Sequence, residues 1–205
     1  MTAAEFAGIR ACLFPEEKIY GKGDIIMHAE KKGKEIAILE SGTAQMIRID
    51  IDGQKSIIDY YEAGDIFGTG FSPISNYDTL YILAKEKCRI SFIDYDKFIS
   101  KCSRNCDKHS RFLENMVLSA FRKAQLHVDI LSKRTIRAKL LTYFEYLRQQ
   151  KNADRFTLPL TISDMADYIA ADRSSMSREI KKMNEEGIIE SSGNVIRLKK
   201  SEYGE

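Results

Sequence analysis

The stretch TISDMADYIAADRSSMSREIKKMNEE, residues 161–186, decides the fold of this chain. Its apolar side chains recur at helical spacing in two runs, and the small pair Ala170-Ala171 lies between them. Small residues allow two helices to cross closely at a tight turn. The pattern therefore predicts a helix-turn-helix whose second helix begins at Arg173 and ends at about Glu185.

Short polar side chains stand where each of the two helices would begin. Thr161 or Ser163 can cap the first helix and Asp172 the second, because their oxygens accept hydrogen bonds from free N–H groups at a helix start. The predicted inward faces are Met165, Ala166 and Ile169 on the first helix and Met176, Ile180 and Met183 on the second.

The exposed start of the second helix has chemistry that suits duplex DNA. Arginine can make two parallel hydrogen bonds to guanine, and short hydroxyls near a helix start can bond phosphate or base edges. The positive end of the helix dipole also attracts phosphate. The predicted DNA contacts are Arg173, Ser174, Ser175, Ser177 and Arg178, with Thr161 and Ser163 from the first helix.

Segments on both sides of residues 161–186 extend this motif. Residues 135–150 form an amphipathic helical pattern, whose predicted apolar face consists of Ile136, Leu140, Leu141, Phe144 and Leu147. FTLPL (156–160) predicts a short edge strand that tolerates Pro159. Residues 187–200 predict two strands around a Ser-Gly-Asn turn, which would form a wing. Arg197, Lys199 and Lys200 would then reach the DNA backbone.

The region from about Tyr20 to about Tyr95 has a different pattern, with short β-type runs interrupted by glycine. Asp52-Gly53 lies between two of these runs and indicates a tight hairpin, since both residues accept positive φ. Many short strands at regular spacing favour an antiparallel roll, barrel or sandwich. The predicted strands lie within residues 22–30, 35–50, 55–68, 80–86 and 89–95.

A long helix is predicted between these two regions, over residues 107–131, which contain no glycine or proline. Apolar and small residues there step by four and three, as in a coiled-coil seam. The interpretation is a dimerisation helix; the alternative is a helix packed on its own domain. The seam consists of Leu113, Val117, Ala120, Ala124, His127 and Leu131.

These patterns predict an α+β protein with three parts. Residues 1–106 would form a β-roll sensor domain, residues 107–132 the dimerisation helix and residues 133–205 a winged helix-turn-helix. Residues 133–205 hold 14 basic and 11 acidic side chains, against 18 and 19 in residues 1–132. The small positive excess at the C-terminal end agrees with nucleic-acid binding there.

The run D-R-S-S-M-S-R (172–178), the turn AGDIFG (63–68) and the order of the parts resemble the CRP/FNR superfamily of transcription regulators. The resemblance implies a homodimer on a palindromic operator, with RNA polymerase as a further candidate partner. By the resemblance, Arg173 and Arg178 fall where the family reads guanines. Ser174 falls where many members carry a glutamate that reads cytosine, and this departure puts the usual half-site sequence in doubt.

Cyclic-nucleotide-binding relatives carry a phosphate cassette after the Gly-Asp turn, with a glutamate and then an arginine. In FGTGFSPISNYDTLYILA (67–84), Thr69 stands at the glutamate position and Asp78 or Thr79 at the arginine position. This segment has no arginine or lysine, and Asp78 would repel a buried phosphate. No cyclic nucleotide is therefore expected, and the effector is unknown. The pocket candidates are Tyr61, Gly68, Thr69, Asp78 and Thr79.

The cysteines suggest one further possibility. Cys12 is the one cysteine near the N-terminus, so an iron–sulfur cluster of the fumarate–nitrate-regulator type is not expected. Cys102, Cys106 and His109 have helical spacing that would put them on one face, as in a thiol or metal switch. The alternative is a solvated segment with incidental thiols, and no metal site is predicted.

Other classes of function find little support in the sequence. There is no P-loop, G-x-S-x-G elbow, HExxH motif or dinucleotide fingerprint, so an enzyme is not expected. A cytoplasmic protein is expected, because no segment resembles a membrane span or secretory signal. The remaining alternative to DNA binding is a module that docks on a partner protein through the winged helix.

Overall fold

The computed structural model describes residues 13–28, 35–68, 79–99 and 107–199. The chain divides into two compact units, Met1–Ala120 and Phe121–Glu205. The division falls inside the long helix predicted from the sequence. The N-terminal unit is an antiparallel β-roll and the C-terminal unit is a winged helix-turn-helix, so the predicted α+β fold is confirmed.

Eight antiparallel strands form two four-stranded sheets in the described part of the N-terminal unit. The orders are β1-β8-β3-β6 and β2-β7-β4-β5. The first strand lies upstream of the predicted sheet region, and its side chains are almost all exposed, so it lacks the alternation that identifies a strand. The strands are β1 Glu16–Tyr20, β2 Ile25–His28, β3 Glu35–Ser41, β4 Ala44–Ile49, β5 Lys55–Tyr61, β6 Ile66–Gly68, β7 Thr79–Ala84 and β8 Cys88–Asp94.

Strand β3 is buried on both faces, because successive side chains point to opposite sides of a sheet. Ala37 and Leu39 join a core cluster to which both sheets contribute. Ile36 and Ile38 join a second cluster with Phe112 from the following long helix. This arrangement explains why β3 is an apolar run and not an alternating one.

The predicted tight hairpin at Asp52-Gly53 is wrong in its length. The hairpin exists, but Ile49 pairs with Lys55, so residues 50–54 form the connection. The Asp50 carboxylate accepts hydrogen bonds from the backbone N–H groups of Asp52 and Gln54, at 3.0 and 2.8 Å. A side chain that satisfies the loop's own backbone in this way supports a longer turn than a two-residue type I′ connection.

A short helix, α1 (Tyr95–Ile99), follows the roll, and the long helix α2 covers Asp107–Ser132. Two of the six predicted seam positions are wrong, because they face their own units. Leu113 packs against the second core cluster, and His127 contacts Tyr168. The exposed large apolar side chains on this helix are Val117, Leu118, Phe121, Val128 and Leu131, exposed by 42 to 69%.

Among its described residues, the C-terminal unit contains the second half of α2, three further helices and a three-stranded sheet of order β10-β11-β9. Strand β9 lies at the sheet edge, as predicted, but it ends before Pro159, whereas the predicted strand over residues 156–160 included this proline. The wing is the hairpin in which Ser192 pairs with Val195. The elements are α3 Ile136–Lys151, β9 Arg155–Thr157, α4 Ile162–Tyr168, α5 Arg173–Glu185, β10 Ile189–Ser192 and β11 Val195–Leu198.

The core of this unit contains the helix faces predicted from the sequence, with one omission. Tyr143 is fully buried on α3, whereas the predicted Ile136 and Leu141 are half-buried. Tyr143 and Phe144 make ring contacts that link α3 to α4 and β9. The buried residues common to prediction and structure are Leu140, Phe144, Leu147, Met165, Ala166, Ile169, Met176, Ile180 and Met183.

Candidate nucleic-acid interface

Asp172 caps the N-terminus of α5, as predicted. Its Oδ1 accepts a hydrogen bond from the backbone N–H of Ser175 at 2.8 Å and from the Ser174 hydroxyl at 2.7 Å. These bonds favour the ionised carboxylate and lower the pKa of Asp172 to about 2. The cap fixes where α5 begins, and therefore which side chains lie in its first turns.

The buried face of α5 determines which residues remain available to a ligand. Met176, Ile180 and Met183 pack inward, at the spacing of one helical face. The predicted contacts Arg173, Ser174, Ser177 and Arg178 are exposed, and Ser175 is half-buried. Two arginines and two hydroxyls therefore remain accessible at the start of one helix.

The two arginines have different partners. The Arg173 Nη2 atom lies 2.9 Å from Oδ2 of Asp167, and this hydrogen bond raises the pKa of Arg173. Arg178 instead donates to neutral oxygens, from Nη2 to the Ser175 hydroxyl at 3.1 Å and from Nε to the Ser174 carbonyl at 3.4 Å. Asp167 was not predicted as part of the site. It precedes Arg173 by six residues, and only the turn between α4 and α5 brings the two together.

Thr161 is the cap of α4, and Ser163 is an exposed residue in its first turn. The Thr161 hydroxyl accepts a hydrogen bond from the backbone N–H of Asp164 at 3.1 Å. The structure thus selects one of the two cap candidates that the sequence offered. Both hydroxyls lie at the N-terminal end of α4.

The wing carries its basic side chains beside an acidic one. Lys199 Nζ lies 2.8 Å and Arg197 Nη1 3.6 Å from the two carboxylate oxygens of Glu190. The hydrogen bond from Lys199 is the main cause of the lowered pKa of Glu190. Strands β10 and β11 pair Glu190 with Arg197 directly, a cross-strand contact that was not predicted. Lys200 lies outside the described residues.

The turn between α4 and α5 is held by side chains from two other helices. Ala170 has a φ of +50°, a left-handed conformation that a residue other than glycine seldom adopts. Lys139 donates from Nζ to the carbonyls of Ile169 and Ala170, at 2.8 and 3.3 Å. His127 Nε2 lies 2.8 Å from the Tyr168 carbonyl, and the two rings stack with centroids 4.3 Å apart.

A second set of contacts fixes α5 against α3. Arg137 bonds from Nε to Glu179 and from Nη1 to Glu186, both at 2.6 Å. These bonds raise the pKa of Arg137 and lower that of Glu186. Neither this bridge nor the contacts at the turn were predicted, because each joins residues more than 25 positions apart.

The pocket candidates in the roll lie in different environments. Tyr61 is buried, with its ring 4.8 Å from that of Phe67, and burial raises the pKa of Tyr61 well above its ordinary value. Gly68 is buried where a Cβ would lie 2.6 Å from the Glu35 carbonyl oxygen. Thr79 is exposed at the start of β7. Thr69 and Asp78 lie outside the described residues.

The thiol hypothesis also falls mostly outside the described part of the chain. Cys12, Cys102 and Cys106 are not described, and His109 is described only as backbone in the first turn of α2. Cys88 is buried in the roll, and burial raises the pKa of its thiol. Within the described ranges, no three histidine, cysteine or acidic side chains are grouped as metal ligands.

None of the described helices is both long enough and apolar enough to pass through a membrane.

Comparison with known families finds a match in each unit. Residues 17–105 match the cyclic nucleotide-binding domain, and residues 138–202 match the Crp-like helix-turn-helix domain. The second match includes every predicted DNA contact described above.

Individual relatives support the same arrangement over most of the chain. The nitrogen fixation regulation protein FixK of Rhizobium meliloti is 22% identical over 85% of this chain and 75% of its own length. The cAMP-activated global transcriptional regulator Vfr of Pseudomonas aeruginosa is 22% identical over 86% of both chains. The solved structure of FixK2 from Bradyrhizobium japonicum superposes with a TM-score of 0.72, at 20% identity, over 91% of this chain and 93% of that one.

Proposed function

We propose, from the premise that this chain belongs to the CRP/FNR superfamily of transcription regulators, that it binds duplex DNA as a homodimer at a two-fold symmetric site. Members of this family are regulators and not enzymes. The observation that carries the proposal is the exposure of Arg173 and Arg178 at the capped start of α5. We assign sensing to residues 1–106, dimerisation to residues 107–132 and DNA binding to residues 133–205.

The start of α5 would enter the major groove, where each base pair presents its own pattern of donors and acceptors. Arg173 and Arg178 would each read a guanine. Ser174 is a short side chain held by Asp172, so it can reach less far than the glutamate that many relatives carry. Thr161, Ser163, Arg197 and Lys199 would bind phosphates and fix the orientation of the domain on the duplex.

The second copy of the chain would cover the exposed apolar stripe on α2. Val117, Phe121, Ala124, Val128 and Leu131 step by four, three, four and three, which is the spacing of a coiled-coil seam. This register differs from the predicted one: it leaves out Leu113, and it has Phe121 and Val128 in place of Ala120 and His127. A contiguous apolar stripe of this kind is typical of a surface that another chain covers.

The effector of the roll would be something other than a cyclic nucleotide. Residues 17–105 match the cyclic nucleotide-binding domain as a family, and this match does not identify the ligand. Residues 67–84 contain no basic side chain that would neutralise a cyclic phosphate. The protein itself would act in the cytoplasm, where the DNA and the RNA polymerase that a bacterial regulator acts on are found.

The test is selection of binding sites from a random duplex library by the full chain, first without added ligand. A palindromic consensus is expected, and its half-site spacing should be one helical turn or a multiple of it. Arg173→Ala and Arg178→Ala should each weaken binding to the selected site by about tenfold or more. Arg89→Ala, which removes an exposed arginine from the roll, is the matched control and should bind normally.

Salt dependence provides an independent measurement. Binding through phosphates releases counterions, so the logarithm of affinity should fall linearly with the logarithm of salt concentration. Failure to select any sequence at low salt, with reduced and with oxidised protein, would contradict the DNA-binding proposal. The module that docks on a partner protein would then be the better interpretation.

A further inference from the structure

We infer that Asp167 is a specificity-determining positioning residue, which holds Arg173 in the orientation that reads one base pair of the operator. This inference rests on the proposed function, because it assigns a role to a residue that acts through an expected DNA contact. Asp167 itself is on α4, outside the segment of α5 that would enter the groove.

Asp167 is largely buried, whereas Arg173 is exposed. The Asp167 side chain is 16% exposed and that of Arg173 is 62% exposed, and the bond between them is 2.9 Å long. Among the described residues, Asp167 is the only hydrogen-bond partner of the Arg173 guanidinium. A guanidinium has five N–H donors, so one bond to Asp167 leaves four for a base. The carboxylate therefore restricts the orientation of the Arg173 side chain and leaves most of its N–H donors available to a base.

The local charges explain why Arg173 needs this partner. It is the first residue of α5, where the helix dipole is positive and a cation is disfavoured. The adjacent Asp172 is occupied by the Ser174 hydroxyl and the Ser175 N–H group. Asp167 is the carboxylate that remains to stabilise the cation, and the buried Asp164 adds a smaller attraction.

Two consequences for recognition follow from the pair. A side chain that is ordered before binding loses less conformational entropy when it bonds a guanine. A guanidinium already paired with a carboxylate is also less attracted to phosphate, so it gains more from a base edge than from the sequence-independent backbone. Both consequences increase the difference in affinity between the correct and the incorrect base pair.

Within the part of the chain that the structure describes, Arg178 has no such bond to a carboxylate, and it therefore serves as an internal reference. Among the described residues, its hydrogen-bond partners are a hydroxyl and a carbonyl, so its positive charge is not compensated by a bonded carboxylate. Loss of Asp167 should therefore affect the base pair read by Arg173 and leave the one read by Arg178 unchanged.

The experiment compares Asp167→Ala and Asp167→Asn with the unsubstituted chain on the selected operator. The base pair of each arginine is first identified as the position whose preference is lost in Arg173→Ala or Arg178→Ala. Affinity is then measured for the operator, for operators changed at either position, and for unrelated duplex DNA. Thermal unfolding of each variant shows whether the winged unit remains folded.

Asp167→Ala should reduce discrimination at the Arg173 base pair by roughly fivefold, the lower end of what one bidentate contact contributes. Affinity for unrelated DNA should rise, since a negative charge is removed beside a cation. Asp167→Asn retains an acceptor oxygen, so its loss of discrimination should be intermediate. Glu185→Gln is the matched control: it removes one charge from the other end of α5, about 18 Å away along the helix, and should preserve discrimination at both positions.

Equal losses at the two base pairs, or lower stability with discrimination intact, would overturn the inference and leave Asp167 a structural residue. An unsubstituted chain that selects no DNA sequence would overturn the proposed function and this inference together. An unsubstituted chain that selects an operator, with an Asp167→Ala variant that discriminates as well, would overturn the inference alone.

Discussion

Different interactions fix the residues of the roll and those of the winged unit. In the roll, the described residues are fixed by strand ladders and by apolar packing on both faces of β3. In the winged unit, side-chain hydrogen bonds and ion pairs fix the residues that would contact DNA, through Asp172, Asp167 and Glu190. The first arrangement determines a shape, whereas the second also determines where charges and donors point.

This difference also affects what each unit reveals about function. The contact residues of α5 lie within six consecutive positions, so a helix start exposes them together. The pocket candidates of the roll come from separate strands and connections, two of them outside the described residues. Function is therefore more accessible from the sequence in the winged unit than in the roll.

The largest expected effect tests whether the two units are stable independently of each other. Phe144→Ala removes a fully buried ring that contacts Tyr143 and Phe156, and should cost the winged unit about 3–5 kcal/mol of unfolding free energy. Ile38→Ala should cost the roll about 2–5 kcal/mol. Calorimetry of the full chain should show a different transition shifted in each variant. If both substitutions shifted one shared transition by the same amount, the two units would unfold together and would not be stable independently of each other.

The next prediction compares one glycine in each unit. Gly42 in the roll has a φ of +94°, and a Cβ there would lie 2.6 Å from the Lys87 carbonyl oxygen. Gly42→Ala should therefore lower the unfolding free energy by about 3 kcal/mol or more, from strain and overpacking together. Gly193 in the wing has a φ of +56° with nothing within 4 Å of the added carbon. Gly193→Ala should cost about 1 kcal/mol, the left-handed penalty alone. Denaturant unfolding measures both values, and equal losses would contradict this explanation.

Much of the fold is predictable from these local patterns. The helix-turn-helix, its caps and its buried faces follow from polar residues at helix starts and from apolar spacing within 26 consecutive residues. Most strands after β1 follow from alternation and from glycine corners, and β3 follows from its apolar run. The length of the loop at Asp52-Gly53 does not, because the carboxylate of Asp50 stabilises a longer connection than the pair suggests.

The candidate site is predictable as a set of residues but not as a set of interactions. The sequence identifies Arg173 and Arg178 by their position on one helix. It does not identify Asp167, Glu190 or Arg137, whose partners come close only after turns and strands have formed. The predicted seam on α2 included His127 for the same reason, since the packing of this residue on Tyr168 cannot be inferred from spacing.

A smaller effect is expected from the contacts that hold the turn before α5. His127→Phe retains a ring that can stack on Tyr168 but removes the hydrogen bond to its carbonyl. The unfolding free energy of the winged unit should fall by about 1 kcal/mol, and operator affinity should fall with it. His127→Gln, which retains a donor, is the control. A Phe variant as stable as the unsubstituted chain would contradict the role of this bond.

The smallest expected effect concerns acid. The folded-state pKa of Asp172 is about 2 and its ordinary value is 3.8, so the ionised cap stabilises α5 above about pH 4 and this stabilisation is lost as the pH falls toward 2. Asp172→Ser retains a capping oxygen that does not titrate. The unfolding free energy of this variant should therefore depend less on pH between about 4 and 2. Parallel pH profiles for the two proteins would show that Asp172 does not have the lowered pKa.

The apolar stripe on α2 has a consequence for how the cell could use this regulator. If two copies must join along the stripe before either reads a full operator, occupancy at low abundance follows the square of the monomer concentration. Halving the rate of synthesis would then reduce occupancy to roughly a quarter, so a modest change in gene dosage would become a sharp change in output. Abundance alone could in this way act as an input, in addition to any ligand of the roll.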